Sequence, residues 1–362
     1  MSAEHLPDPG LEPGSVSNST LPGVGPKLLE VIGLKKFYPI RKGFVKKTVG
    51  HVRSVDDVSF FINLGETLGL VGESGCGKTT TARCILRAVP PSAGQILYRD
   101  ANGGVVDIAA LSIEAIRPLR REMQMVFQDP FGSLNPRMNL LDLVGEPMLV
   151  NGMRSKRERT ERVAELLRMV GLRPEYMRRF PHSFSGGQRQ RIVIARALAV
   201  HPRLVVADEP VSALDVSVQA QVLNLMLELQ ENLQLTYLFV AHDLSVVKHI
   251  SDRVAVMYVG KIVETAPTDA LFNTPRHPYT AALLAAVPFP DPRVRSRLST
   301  LEGEVPSPAN PPSGCYFHPR CPHAVERCRA QAPAMEEVSP RHYVSCHRAN
   351  ELNLPVHRVE AL

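Results

Sequence analysis

Five short, almost wholly apolar runs punctuate the chain, at 67–70, 123–127, 204–207, 237–241 and 254–259. Runs of this length without polar alternation fit strands buried on both faces, as in a parallel sheet. Between them the pattern takes the period of a helix. Val163, Leu166, Leu167 and Val170 fall at i, i+3, i+4 and i+7, and Gly171 follows as a stop. Val222, Leu225, Met226, Leu229 and Leu233 repeat such a face. Strands alternating with helices predict a layered α/β domain with its chemistry at the strand carboxyl ends. Residues 28–64 differ. There Val52, Val55, Val58 and Phe60 alternate with polar neighbours, which predicts antiparallel strands packed at one edge. Near Thr265 the pattern gives way to Pro-rich segments, 306–312 among them, with one short helix expected at 279–286.

The first apolar run leads into Gly72-Glu73-Ser74-Gly75-Cys76-Gly77-Lys78-Thr79, and a helix-compatible stretch opens with Thr80. This is the phosphate-loop pattern in its required strand–loop–helix setting. Glycines let successive backbone N–H groups turn inward around phosphate oxygens, and the helix N-terminus adds partial positive charge. Lys78 can reach the outer phosphates and the Thr79 hydroxyl can hold Mg²⁺. Cys76 would contribute only its backbone. The run 204–207 ends in Asp208-Glu209-Pro210. Beside a phosphate loop, Asp208 is placed to hold Mg²⁺ and Glu209 to activate the attacking water. Phe184-Ser185-Gly186-Gly187-Gln188 precedes another helical stretch, a second anion-binding N-terminus. Two phosphate cradles in one chain imply that a second subunit completes each nucleotide site.

Composition adjusts this picture little. The chain has 362 residues, 44% of them hydrophobic, and a formal net charge of +6. The length fits one large domain with an extension. The charge is too modest to demand a nucleic-acid partner. No apolar run has transmembrane length. Residues 1–26 are rich in Pro, Gly and Ser and lack an apolar signal core, so a disordered tail and a cytoplasmic protein are expected. The resulting boundaries are a tail at 1–26, a nucleotide-binding domain at 27–265 and an extension at 266–362.

Phosphate loop, Gln128, Ser-Gly-Gly-Gln, Asp208-Glu209, Ser212-Ala213-Leu214-Asp215 and His242 occur in that order. The sequence resembles the ATP-binding subunits of ABC transporters over about 28–261. The resemblance implies a P-loop NTPase fold with a mixed sheet core, an antiparallel edge subdomain and a helical subdomain. It implies that Tyr38 stacks on adenine, that Gln128 contacts Mg²⁺ and the attacking water, and that His242 contacts the γ-phosphate and supports Glu209. Ser185, Gly186, Gly187 and Gln188 would face ATP held by the opposite subunit, and Asp215 would lie at the dimer seam. Phe184 departs from the usual Leu but keeps an apolar anchor. The neighbouring segment 128–137 would dock on two membrane permeases, with Phe131, Leu134 and Met138 as its apolar flank, which places the chain at the cytoplasmic face of the membrane.

His277-Pro278-Tyr279-Thr280 and the segment from Pro311 to Cys321 resemble the extension of ATPases that drive oligopeptide and dipeptide importers. The basic stretch between Tyr38 and Val55 resembles the second of the two ATPases such importers carry, so a paralogous ATPase partner and, indirectly, a solute-binding protein are implied. Nickel and other small solutes are alternative cargoes, and a soluble ABC ATPase is the alternative outside transport. Cys315, Cys321, Cys328 and Cys346 are 6, 7 and 18 residues apart. Thiolates select zinc or iron–sulfur clusters, and the tight pairs usual for zinc are missing. Members of the resembling family carry a 4Fe-4S cluster at such a motif, with zinc as the alternative. His318, His323, His342 and His347 are expected as outer or surface groups.

Overall fold

The computed structural model describes residues 25–43, 47–286 and 303–354. All but two residues of the expected N-terminal tail lie outside that range. Two long strands, β1 (Lys27–Lys42) and β2 (Lys47–Asn63), pair antiparallel. From them β3 (Thr67–Val71) passes into a second layer, while β4 (Ala93–Arg99) and β5 (Val105–Asp107) complete a small antiparallel sheet in the order β2-β1-β4-β5. The second sheet adds β6 (Met123–Val126), β7 (Leu204–Asp208), β8 (Thr236–Ala241), β9 (Arg253–Tyr258), β10 (Lys261–Pro267), β11 (Glu336–Ser339) and β12 (His342–Val344). Its order is β11-β12-β10-β9-β3-β8-β7-β6, and β9, β3, β8, β7 and β6 run parallel. These are the five runs read from the sequence.

Their continuous apolarity has a direct cause. Along β7, Val205 and Ala207 enter one core while Leu204 and Val206 enter another. Successive side chains leave a strand on opposite faces, and helices or the small sheet cover both faces. Connections carry α1 (Lys78–Ile85), α2 (Ile113–Ile116), α3 (Pro130–Ser133), α4 (Leu140–Val150), α5 (Lys156–Met169), α6 (Gly186–Leu198), α7 (Val216–Leu233), α8 (Leu244–Ile250), α9 (Thr268–Asn273), α10 (Pro278–Ala285) and α11 (Glu326–Ala330). Helices α4, α5 and α6 pack on one another through Leu143, Val144, Val163, Leu166, Leu167, Ile192 and Val193. They form the helical subdomain. Ser155 caps α5 by accepting from the Glu158 N–H, and Gly171, at φ 72°, follows its end.

The extension is sewn into the cassette. Strand β10 runs through residue 265, and β12 pairs along it at Glu264–Val344 and Thr265–Tyr343. Phe317 is buried in the larger core, edge-on to Tyr258 at 5.3 Å and tilted against Tyr279 at 5.4 Å. Glu264, fully buried, accepts from the N–H groups of Arg276 and His277 and pairs with His342 Nε2 at 2.6 Å.

Candidate nucleotide site and a four-thiol cavity

The phosphate loop is fixed by backbone contacts on two sides. At Gly77, φ is 111°, and a Cβ there would lie 2.1 Å from the Ser54 carbonyl oxygen. At Gly72 a Cβ would lie 2.1 Å from the Met257 carbonyl oxygen. Only glycine lets the loop nestle between β2 and the end of β9. Lys78 is buried, and its Nζ donates to the carbonyls of Gly72 at 2.7 Å and Glu73 at 3.0 Å. Ser74 and Gly75 stand exposed at the mouth, with Thr80 half-buried on α1. Cys76 is buried, and desolvation raises its thiol pKa against the pull of Lys78, so it packs rather than reacts.

Three parallel strand ends converge beside this loop. The Thr79 hydroxyl donates to Asp208 Oδ1 at 2.9 Å. Burial pushes the Asp208 carboxyl above its usual range, Thr79 opposes the rise, and the Glu209 charge adds to it. Glu209 follows β7 in the left-handed region, at φ 48°. Its N–H donates to the Val240 carbonyl at 2.9 Å. Its Oε2 accepts from Gln128 Nε2 at 2.8 Å, after β6, and lies 3.1 Å from His242 Nδ1, after β8. A non-glycine residue in this conformation is strained, and strain of this kind clusters where a side chain must be aimed. Lys78, Thr79, Asp208, Glu209, Gln128 and His242 are thus brought to one edge of the sheet.

Other residues predicted for the site stand apart. Ser185 caps α6 in a reciprocal box with Gln188: its Oγ accepts from the Gln188 N–H, and Gln188 Oε1 accepts from the Ser185 N–H. A Cβ on Gly187 would lie 2.3 Å from Val218 Cγ1, so that glycine admits α7. Gly186 meets Leu214 more loosely. Among the described residues, no hydrogen bond or ion pair joins Ser185–Gln188 to the phosphate loop. Asp215 occupies the N-cap position of α7, yet its exposed side chain caps nothing. Tyr38 is 38% exposed beneath Lys36 Nζ, 4.9 Å from the ring centre, rather than packed in the core. Phe184 is buried edge-on against Tyr176.

The apolar flank expected in the segment 128–137 needs correction. Leu134 is 3% exposed and belongs to the larger core, and Met138 packs against it half-buried. The helical turn α3 folds Leu134 inward, which the Pro- and Gly-rich sequence did not reveal. The open apolar surface lies just before it. Phe127, 44% exposed, lines a groove of about 550 Å³ with Met125, Pro147, Arg83, Arg120 and Arg196.

All four extension cysteines line one cavity of about 20 Å³, together with His277, His318, His323 and His347. Burial pushes the Cys315, Cys321 and Cys346 thiols up to about 11, and neighbouring thiols add to each rise. His342 is excluded, being committed to Glu264. His318 Nδ1 lies 2.9 Å from the Cys315 carbonyl, and His347 Nε2 lies 2.8 Å from the Gln331 carbonyl. Among the described residues, no three His, Cys, Asp or Glu side chains are gathered to hold a single metal ion. No described helix is long and apolar enough to cross a membrane.

Two residues read from the sequence only as part of the extension's motifs have a role at the loop that the sequence reading missed. Arg320 and Tyr279, both from the extension, contact Glu73 in the phosphate loop. Nothing in their spacing marks them, because the contact spans the whole fold.

A parallel sheet with a glycine cradle, a hydroxyl–carboxylate pair and an aimed glutamate defines a P-loop nucleotide hydrolase. Residues 55–212 match the ABC transporter family, and residues 263–328 match the C-terminal region of oligopeptide/dipeptide transporters. The oligopeptide transport ATP-binding protein AppF of Bacillus subtilis is 55% identical, the match covering 88% of this chain and 97% of that protein. The dipeptide transport ATP-binding protein DppF of Haemophilus influenzae is 49% identical, covering 88% and 96%. Among solved structures, a bacterial ABC transporter cassette in dimeric form superposes with a TM-score of 0.58 at 27% identity, covering 66% of this chain and 98% of the other. The chain belongs to the ABC transporter ATP-binding proteins, ATPases coupled to transport, in the group bearing the oligopeptide/dipeptide C-terminal region.

Proposed function

We propose that this chain powers the import of short peptides from the cytoplasmic face of the membrane, hydrolysing ATP between two ATPase subunits arranged head to tail. The observation that carries the hydrolytic part is Glu209, aimed from a strained backbone and held by Gln128 and His242 beside the Thr79–Asp208 pair. The phosphate loop 72–79 would cradle the phosphates, with Lys78 turning from its own loop carbonyls to the outer oxygens. Thr79, Asp208 and Gln128 present the oxygen donors that Mg²⁺ prefers; when bound, the ion would neutralise charge on the phosphates. Glu209 would take the proton of the attacking water, with Gln128 orienting that water and His242 contacting the γ-phosphate. Tyr38 offers an exposed ring for adenine.

The capped N-terminus of α6, exposed at Ser185, and Asp215, whose side chain caps nothing, suit a nucleotide presented by a second, related subunit, which is why one chain carries both halves. The groove beside Phe127 suits a cytoplasmic segment of each of two permeases, its apolar floor rimmed by arginines and joined through residue 127 to Gln128. Peptide cargo follows the relatives' names, and a solute-binding protein would deliver it. In this reading residues 27–265 are the catalytic unit and 266–362 an extension.

Glu209→Gln should bind Mg-ATP as the parent does, lose on the order of 10²-fold or more in hydrolysis and accumulate as a closed dimer. Parental turnover in that variant would remove Glu209 from the mechanism.

A second reading concerns the extension. Four thiols around one cavity fit a 4Fe-4S cluster better than zinc, since zinc draws four donors to within about 2.3 Å of a single point. The cluster would supply a structural tie there, held by Cys315, Cys321, Cys328 and Cys346.

A further inference from the structure

Glu73 is an uncomfortable residue for its position. It sits between Gly72 and Ser74, inside a loop whose task is to receive several negative charges. Its carboxylate is not left to solvent. Arg320 Nη1 donates to Oε2 at 2.8 Å and Nη2 to Oε1 at 3.1 Å, a two-pronged pair. The Arg320 side chain is 5% exposed, and Nη1 also reaches the Tyr258 hydroxyl at 3.4 Å. The main chain of Glu73 is held as well. Its N–H donates to the Tyr279 hydroxyl at 3.0 Å, and its carbonyl accepts from Lys78 Nζ. One residue of the phosphate loop is therefore gripped at three points, and two of the grips come from the extension.

Arg320 and Tyr279 are fixed from their own side. Arg320 ends the short 3-10 turn His318–Arg320, between Cys315 and Cys321. Tyr279 lies in the first turn of α10, which His277 caps by accepting from the Tyr279 N–H at Nδ1. Phe317 packs against both Tyr258 and Tyr279.

We propose that Arg320 and Tyr279 are positioning residues of the nucleotide site, Arg320 cancelling the Glu73 charge and Tyr279 fixing the Glu73 backbone so that the loop can accept a triphosphate. The proposal rests on the phosphate loop being the nucleotide site. Without Arg320, a free carboxylate faces the phosphates and repels them, and the repulsion disappears when the carboxylate does. A purely structural pair would show the same rescue in thermal unfolding, so the proposal requires the loss and its rescue to appear in ATP affinity beyond any change in folded protein.

The test measures Mg-ATP affinity of the full-length protein by titration calorimetry, with thermal unfolding as a check on folding. Arg320→Met should weaken ATP binding about 10-fold, the effect of roughly one unpaired charge near the site. Glu73→Gln is measured alone to close the cycle, and Arg320→Met with Glu73→Gln should bind at least about 3-fold tighter than Arg320→Met. Arg320→Lys, which keeps the charge and loses the fork, should fall between, and it carries the same comparison if the Met variant does not fold. Parental affinity in Arg320→Met, or a double variant as weak as the single, overturns the proposal. Lys78→Ala, run in parallel, tests the underlying site: if it binds ATP normally, the nucleotide reading itself fails.

Discussion

The phosphate loop and the four-thiol cavity are both proposed as binding sites, and they are built in opposite ways. The loop is local. Its glycines, Lys78 and Thr79 fall within eight residues, 72–79, between a buried parallel strand and a helix. The cavity is assembled from Cys315, Cys321, Cys328 and Cys346, carried by turns, the short α11 and the segment after β12. Its walls borrow Phe317 and His277 from packing against the cassette. A site made by secondary structure is finished when the chain folds. A site made by loops needs packing from outside or a bound group to finish it. The Arg320–Glu73 pair joins the two, so the more regular site takes part of its support from the less regular one.

The sharpest way to break this contrast is at Gly77. A Cβ there meets the Ser54 carbonyl oxygen at 2.1 Å and Met257 Cε at 2.8 Å, and the Ser54 backbone leaves little room to yield. Gly77→Ala should therefore cost at least about 3 kcal/mol in the shaped loop, more than 100-fold in ATP affinity. Gly75→Ala is the control. Its φ is 79°, but nothing lies within 4 Å of the added carbon, so only the left-handed penalty of roughly 1–2 kcal/mol applies. Equal losses at the two positions in a binding titration would mean the loop is not wedged as described.

The same contrast explains what the sequence disclosed. The five parallel strands were legible because both faces are covered, which leaves their residues no choice but apolar. The loop, Asp208 and Glu209 were legible because phosphate chemistry needs those residues next to one another. The left-handed backbone of Glu209 was not, since it arises from the Val240 hydrogen bond across strands. Leu134 misled because one helical turn decides whether an apolar residue in a loop faces in or out. His342 read as an outer group of the cysteine region, yet it pairs with a glutamate 78 residues earlier. Contacts across that separation leave no local pattern, and Arg320 with Glu73, 247 residues apart, is a still more distant case.

The middle-sized effect belongs to the cavity. If the cysteines hold the proposed cluster, protein purified without oxygen should be brown and contain iron and sulfide in equal amounts. Cys328→Ser should lose the colour and lower the melting temperature by about 5–10 °C, because the extension loses its own tie but keeps its packing on the cassette. ATP should still bind, with affinity reduced only as far as Arg320 shifts. Colourless anaerobic protein with one tightly held zinc would replace the cluster with zinc.

The smallest effect asks how much of the extension's hold is polar. Tyr316 donates its hydroxyl to Asp56 Oδ2 at 2.7 Å, tying the cysteine region to β2. Burial, then Asp56, pushes that phenol up to about 12, so it remains a donor across the physiological range. Asp56 is 7% exposed, and its cationic neighbours, Arg53 and Lys261, each stand 3.9 Å away. Tyr316→Phe removes the hydroxyl and keeps the ring beneath Lys261 Nζ, 5.1 Å from its centre. The buried carboxylate then loses its short bond but not its nearby charges, so a loss of about 1–2 kcal/mol is expected in denaturant unfolding. A loss of that size leaves Phe317 and the shared core as the main attachment. A loss above about 4 kcal/mol would make this single hydrogen bond the principal tie, and the extension would then hang on the cassette by polar contacts rather than share its core.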